Sequence, residues 1–407
     1  MSANPIILVD PYHELADEFL QDPYPTYERL RNQAPIFKSP TEDRWLISRY
    51  ADVNAIVRDI RFSSDRYGGS SAGTALMQDE RFSAVRKSQS NWMLMRDEPD
   101  HGRLRTLVNK AFTPSTVEGL RAHIEIIVEQ LLETMARKGC TDLIADYAFL
   151  VPVTVIAAML GVPVEDHAKF NRWSTALTGA SDVRQRPERL SGANDAAADL
   201  SDYFRNMVEM RRASPQNDLV SALVAAEEHS NHLTTDEVVD NSIMLLFAGH
   251  ETTVNLIGNG MYALLRHPDQ LRKLQDDSGL IKTAVEELLR YDSPVQYTRR
   301  IVKEDIEYGG VVMRKSELVI PIIGAANRDP EQFSSPDRLD ITRTDNKHLS
   351  LGAGLHYCLG ASLARLETEL AILRLIARFP DLALADEKIE YKDSGGFRGL
   401  KLLMLTL

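Results

Sequence analysis

Apolar residues recur at helical spacing along most of this chain and alternate at strand spacing only in short patches. The longest helical pattern opens at Thr234-x-x-Glu237, a capping box in which each side chain answers the other residue's backbone N–H. Its apolar steps of three and four run on to Arg266 and stop at His267-Pro268. A helix of about 30 residues at 1.5 Å each is a rod of roughly 45 Å, enough to cross the whole molecule. Val117, Leu120, Ile124, Ile127, Leu131 and Met135 predict a second helix, opened by a capping box at Ser115-x-x-Glu118 and closed near Gly139. Residues 11–33 predict a short helix broken by prolines, and 51–60, 143–160, 164–179 and 359–379 predict further helices. Residues 35–39 and 44–50 are β-prone around a polar centre and predict a hairpin; Gly309-Gly310 marks a turn in a second β-prone stretch. Two stretches lack a pattern, 63–90 and 179–198, and both read as long connections, the kind usually kept for function.

The 407 residues, 43% of them hydrophobic, can bury a substantial core. A net charge of −12 argues against a nucleic-acid binder. The only cysteines, Cys140 and Cys358, lie too far apart in sequence to suggest a disulfide framework, which fits a reducing cytoplasm. Cys140, after a helical run, reads as core packing. The N-terminal stretch has no basic start and an apolar run of only four residues, so it predicts neither a signal peptide nor a membrane anchor.

Candidate chemistry sits where local rules break. In the middle of the long helix, Gly249 costs about 1 kcal/mol against alanine, two β-branched threonines follow, and charged Glu251 stands among leucines. A zinc-protease reading of His250-Glu251 fails, because Val254 occupies the second histidine's place. The stretch from His348 to Ala364 places Cys358 between Gly354 and Gly360, with His356 two residues before it and a helix starting just after. Helix N-termini favour anions, which predicts a lowered thiol pKa and a metal-binding thiolate. Plain packing is the other fate of such a cysteine. Two spacings bring polar pairs onto one helical face: His101 with Arg105, and Glu287 with Arg290. A solvated basic face and an ordinary ion pair are their simpler readings.

The cysteine stretch matches Phe-x-x-Gly-x-(His/Arg)-x-Cys-x-Gly except that Leu351 replaces the aromatic residue. It resembles the ligand loop of the cytochrome P-450 family, the haem-thiolate monooxygenases, and motifs in family order run along nearly the whole chain. The resemblance implies a mainly α fold with small β-sheets: a single haem domain over 1–407, with the long helix crossing over the haem. It implies haem b held by the Cys358 thiolate, with Leu351, Gly352, Gly360 and Ala364 around it and His101, Arg105, Arg300 and His356 toward the propionates. Ala248 and Gly249 would leave room for dioxygen, and Glu251 and Thr252 would relay protons inward from solvent. Met244, Phe247, Val295 and Phe397 would line an apolar substrate pocket. Glu287, Arg290 and Arg338 would clamp the cysteine loop from behind.

The implied reaction inserts one oxygen atom of O2 into a small apolar organic substrate. Electrons would come from a separate ferredoxin and its reductase, since no flavin domain is fused, docking on Arg103, Lys110, Lys347 and Arg365. Two alternatives stay open: oxidative coupling or rearrangement on the same scaffold, and a haem-binding sensor or carrier without turnover.

Overall fold

A 32-residue helix, Thr235–Arg266, runs through the middle of the molecule. The computed structural model describes residues 9–14, 16–66, 79–181, 186–230, 233–386 and 388–407. The predicted capping box opens this helix: the Glu237 N–H donates to the Thr234 hydroxyl at 3.2 Å, and the Thr234 N–H donates to the Glu237 carboxylate at 2.8 Å. Most of its residues from Val238 to Leu264 are buried on every side, so it is a core strut and not a surface helix. Six other helices carry or support residues of the site. In chain order they are α1 (Ser83–Asn91), α2 (Asp100–Asn109), α3 (His167–Leu177), α4 (Pro187–Ala213), α6 (Ile281–Tyr291) and α7 (Ala361–Arg378), with the central helix as α5. α1, α3, α4, α6 and α7 all pack directly on α5.

The sheets are small and lie to one side. Strands β1 (Ile36–Lys38) and β2 (Arg44–Ile47) form the predicted hairpin, with Ile36 opposite Ile47. With β3 (Phe62–Ser63), β5 (Arg300–Val302) and β8 (Leu318–Pro321) they make a sheet ordered β1-β2-β8-β5-β3, in which β2 and β8 are parallel. Strands β4 (Cys140–Asp142), β9 (Ala383–Leu384) and β10 (Met404–Thr406) form a second sheet. Strands β6 (Ile306–Tyr308) and β7 (Val311–Met313) pair across Gly309-Gly310, whose φ values of +57° and +81° suit the two-residue turn that needs glycine.

Several expectations are corrected. The stretch 179–198 is not an open connection: α4 begins at Pro187, which sits in its first turn where no N–H is missed, and buries Leu190, Ala193, Ala196 and Ala197. Alanines blurred that apolar face. The end of the 63–90 stretch is also helical, as α1, while 67–78 lie outside the described residues. Thr113, not Ser115, caps the helix before Arg121–Ala136, accepting the Thr116 N–H, and Glu118 instead binds Arg121. Residues 11–33 form three short helices, and 143–160 divide into a wide turn, Ile144–Ala148, and a helix, Leu150–Leu160. Cys140 is exposed on β4 and is not core packing.

Candidate active site

One cavity of about 330 Å³ lies between α5 and the cysteine loop. Its wall includes His101, Arg105, Met244, Phe247, Ala248, Gly249, Thr252, Val295, Arg300, Leu351, Gly352, His356, Cys358, Gly360, Ala364 and Phe397, which the sequence singled out. Residues from 101 to 397 thus meet in one place. Met93, Leu94, Met95, Thr298 and Glu367 also line it. The methionine-rich segment was missed because it precedes Asp97 without any periodic pattern of its own.

The cysteine loop is a tight reversal. The Cys358 N–H donates to the Leu351 carbonyl at 2.8 Å, so Leu351 holds the loop through its backbone whatever its side chain. Gly352, at φ +71°, would bring a Cβ to within 3.3 Å of the His356 carbonyl. Gly360 is the N-cap of α7. The thiol nevertheless departs from the sequence expectation: burial pushes its pKa up, and the Gly360 N–H, Arg105 and Arg365 pull it back only in part. A bound metal ion is what deprotonates such a thiol outright.

On the cavity's polar side, the rings of His101 and His356 lie with centroids 4.1 Å apart and planes tilted by 43°. Burial, and then the basic neighbours His101, Arg300 and Arg105, push His356 down to about 3, so it is neutral there. Arg300 is 6% exposed; burial lowers it to about 10, with Asp97 the opposing influence. Arg105 donates to the Tyr357 carbonyl at 2.6 Å. Four nitrogen-bearing side chains thus line the same cavity as Cys358, amid mostly apolar neighbours. This donor set suits a planar macrocycle carrying two carboxylates, and haem fits it.

Across the cavity, the Thr252 hydroxyl donates to the Ala248 carbonyl at 3.0 Å. That back-bond to the preceding turn is common for helical threonine and eases the helix open locally. A Cβ on Gly249 would lie 3.3 Å from Ile156, so the glycine also permits close packing against helix Leu150–Leu160. Glu251 does not line the cavity and does not open to solvent: it is 5% exposed, and its carboxylate accepts from Lys392 Nζ at 2.7 Å and Asn255 Nδ2 at 3.3 Å. Lys392 stands between Glu251 and water. Sequence spacing carried no sign of this partner, which arrives from 141 residues away.

Lys392 belongs to a hairpin, 391–400, that closes one side of the site. Tyr391 bridges Leu400, and the Lys392 N–H donates to the Gly399 carbonyl. Phe397 bridges Val295 and packs edge-on to Phe247, their centroids 6.0 Å apart. Asp393 receives Arg186 at 2.7 Å, tying the hairpin to the start of α4.

Behind the loop, Glu287 and Arg290 are fully buried and paired at 2.8 Å through both Nε and Nη2. The expected third member is corrected. Arg338 is exposed and offers Arg290 only its carbonyl, at 3.2 Å, whereas Arg343 donates to Glu287 at 3.1 Å. The expected docking cluster also changes. Arg103 is held by Glu237 and Asp100, and Arg365 by Glu286, leaving Lys110 and Lys347 as its exposed members.

A helical fold around a loop-borne cysteine, with a basic rim and a glycine- and threonine-bearing turn of the central helix lining the same cavity, defines a haem-thiolate oxygenase. The Cytochrome P-450 family model matches residues 77–404, and the chain belongs to that family. It is 41% identical to the biotin biosynthesis cytochrome P-450 of Bacillus subtilis (strain 168), with 96% of this chain and 98% of that protein covered. Against the vitamin D(3) 25-hydroxylase of Pseudonocardia autotrophica it is 41% identical, over 97% of this chain and 96% of that one. The solved structure of P-450BioI with hexadec-9Z-enoic acid ligated acyl carrier protein superposes with a TM-score of 0.90 at 40% identity, covering 96% of this chain and 100% of that one. The protein is therefore a monooxygenase that uses haem b with an axial cysteine thiolate and hydroxylates organic molecules. Among the described residues, no helix is long and apolar enough to cross a membrane.

Proposed function

We propose that Cys358 supplies the axial thiolate and that 1–407 act as one haem domain, hydroxylating a small apolar substrate held under α5. The observation that carries this reading is the one cavity lined together by Cys358, by His101, Arg105, Arg300 and His356, and by the Gly249–Thr252 turn of α5. Bound there, haem supplies iron-centred activation of O2. His101, Arg105, Arg300 and His356 would hold its carboxylates, the two arginines through their planar guanidinium groups. Thr252 passes a proton into the cavity, and Glu251 restocks it from Lys392 and the surface. Met244, Phe247, Val295 and Phe397 exclude water and orient the substrate. Apolar walls with few polar groups suit a flexible hydrocarbon, and relatives with bound hexadec-9Z-enoic or myristic acid support that class.

Electrons come from a separate ferredoxin and its reductase. We place the donor on the face around Leu355 and Tyr357, which flank the cysteine and are 48% and 40% exposed, with Lys110 and Lys347 as exposed cations for docking. The exposed Cys140 suits a reducing cytoplasm. Titrating purified, haem-loaded protein with fatty acids, terpenes and steroids tests the reading through the Soret band. A blue shift with one class is expected. A reduced, carbon-monoxide-bound spectrum without the thiolate band would overturn it.

A further inference from the structure

The cavity wall at Met93, Leu94 and Met95 is a short turn after α1, and it is pinned from outside the cavity. Asn241 of α5 does most of the pinning. Its Nδ2 donates to the Asn91 carbonyl at 3.0 Å and to the Glu237 carbonyl at 2.8 Å, and its Oδ1 accepts the Met93 N–H at 2.9 Å. Its neighbour Asp240 accepts from Asn91 Nδ2 at 2.8 Å. Both are buried, at 2% and 4% exposure, and neither lines the cavity. The other end of α1 is fixed as well: Asn194 of α4 accepts the Ala84 and Val85 N–H groups at 3.0 and 3.2 Å, doing from another helix what an N-cap does locally. Between these ends, Trp92 is fully buried and lies against Phe247 with centroids 5.3 Å apart.

We propose that Asp240 and Asn241 are specificity-determining positioning residues, which fix where Met93–Met95 stand and so which substrates fit, without touching substrate. The inference rests on the reading that the apolar half of the cavity is the substrate site. The chemistry explains the residue type. One flat amide gives two hydrogen bonds, to Asn91 and Glu237, and takes a third from Met93 through separate atoms; an ionised aspartate only accepts, a serine hydroxyl has a single donor, and leucine has neither. Losing it strands a buried carbonyl and a buried N–H, whose cost is relieved only if the segment moves. Ser242, next in sequence, is equally buried but bonds only to Val238 in its own helix, at 2.8 Å, and so serves as the internal control.

The test uses full-length, haem-loaded protein and 1-alkylimidazoles from methyl to dodecyl, which bind the iron and lay a chain of chosen length against the wall. Affinities are read from the Soret shift. Asn241→Ala is expected to change the affinity of the longer chains by roughly tenfold, the scale of one buried hydrogen bond, and to leave methylimidazole unchanged. Asn241→Asp, which keeps the volume, should shift the same members of the series, and Ser242→Ala should superimpose on the parent. Amide exchange at Met93 should quicken in both Asn241 variants. If both give the parental chain-length profile while Phe247→Ala shifts it, the inference is overturned. If Phe247→Ala also leaves it unchanged, the substrate-site reading falls and takes the inference with it.

Discussion

Removing the Glu287 carboxylate should unfold much of what holds the cysteine loop. Five N–H groups converge on it: Arg290 Nε and Nη2, both at 2.8 Å, the Asp340 backbone at 2.9 Å, and Arg343 Nε and Asn346 Nδ2, both at 3.1 Å. Arg290 directs its remaining donors to the carbonyls of Asn327, Pro336 and Arg338, and Asn327 in turn accepts the Leu349 N–H at 2.7 Å, nine residues before the cysteine. Glu287→Ala leaves a guanidinium with no exposure to water and no matched acid on its own helix. Breaking a buried pair in this way costs about 3–5 kcal/mol. Native domains hold only about 5–15 kcal/mol in total, so the loss should also appear as weaker haem retention. Urea unfolding followed by circular dichroism measures the first effect and the Soret absorbance the second. Replacing both partners, Glu287→Leu with Arg290→Met, should recover only part of the loss: the buried Arg290 charge is gone, but Arg343 and the carbonyls of Asn327, Pro336 and Arg338 still lose their partners. A single variant within about 1 kcal/mol of the parent, or a double variant worse than the single, would refute the reasoning.

Other outcomes rest on the same geometry. Cys358→Ser should keep the helical circular dichroism but lose the thiolate band of the reduced, carbon-monoxide-bound form. Thr252→Ala should divert oxygen use from product to peroxide, read as the ratio of product to reductant consumed; a ratio equal to the parent's would remove Thr252 from the relay. Asp240 is raised to about 6, first by burial, against hydrogen bonds from Asn91 and Ser88 and the charge of Lys87, with Asp236 on its own helix adding to the rise and Arg205 of α4 nearby. The folded protein therefore binds this proton more tightly than the unfolded chain does. The stabilisation is fully present below the ordinary carboxylate pKa near 3.8 and is lost as pH rises toward 6. Asp240→Asn should flatten that part of the stability profile measured by thermal unfolding; an unchanged slope would count against it.

Much of the architecture was legible because long-range order here follows strong local signals. Thr234 and Glu237 announce the central helix, and the departure from helix propensity at Gly249–Thr252 marks its cavity-lining turn. The cysteine loop is written in glycines and one sulfur. What stayed hidden depends on contacts between distant segments. No spacing rule could reveal that Lys392 reaches Glu251, or that Arg343 and not Arg338 completes the Glu287 cluster, since those partners meet only after folding. α4 escaped notice for another reason. Three of the four residues it buries before residue 199, Ala193, Ala196 and Ala197, have small side chains that carry little apolar contrast, and its first-turn proline looks like a breaker when read without the turn it occupies. The thiol's direction was misjudged because helix-end electrostatics is visible in sequence, whereas burial is not.

The hairpin at 391–400 also sets a timetable. It brings Phe397 to the cavity wall, Lys392 to the proton-relay acid and Asp393 to the start of α4. A ribosome-bound chain lacks all three until residues 391–400 emerge, after α5 and the cysteine loop. The earlier helices can collect around the central strut while the site still stands open on that side. Closing the pocket on that side, and giving the relay acid its lysine partner, must therefore wait until this hairpin has been made.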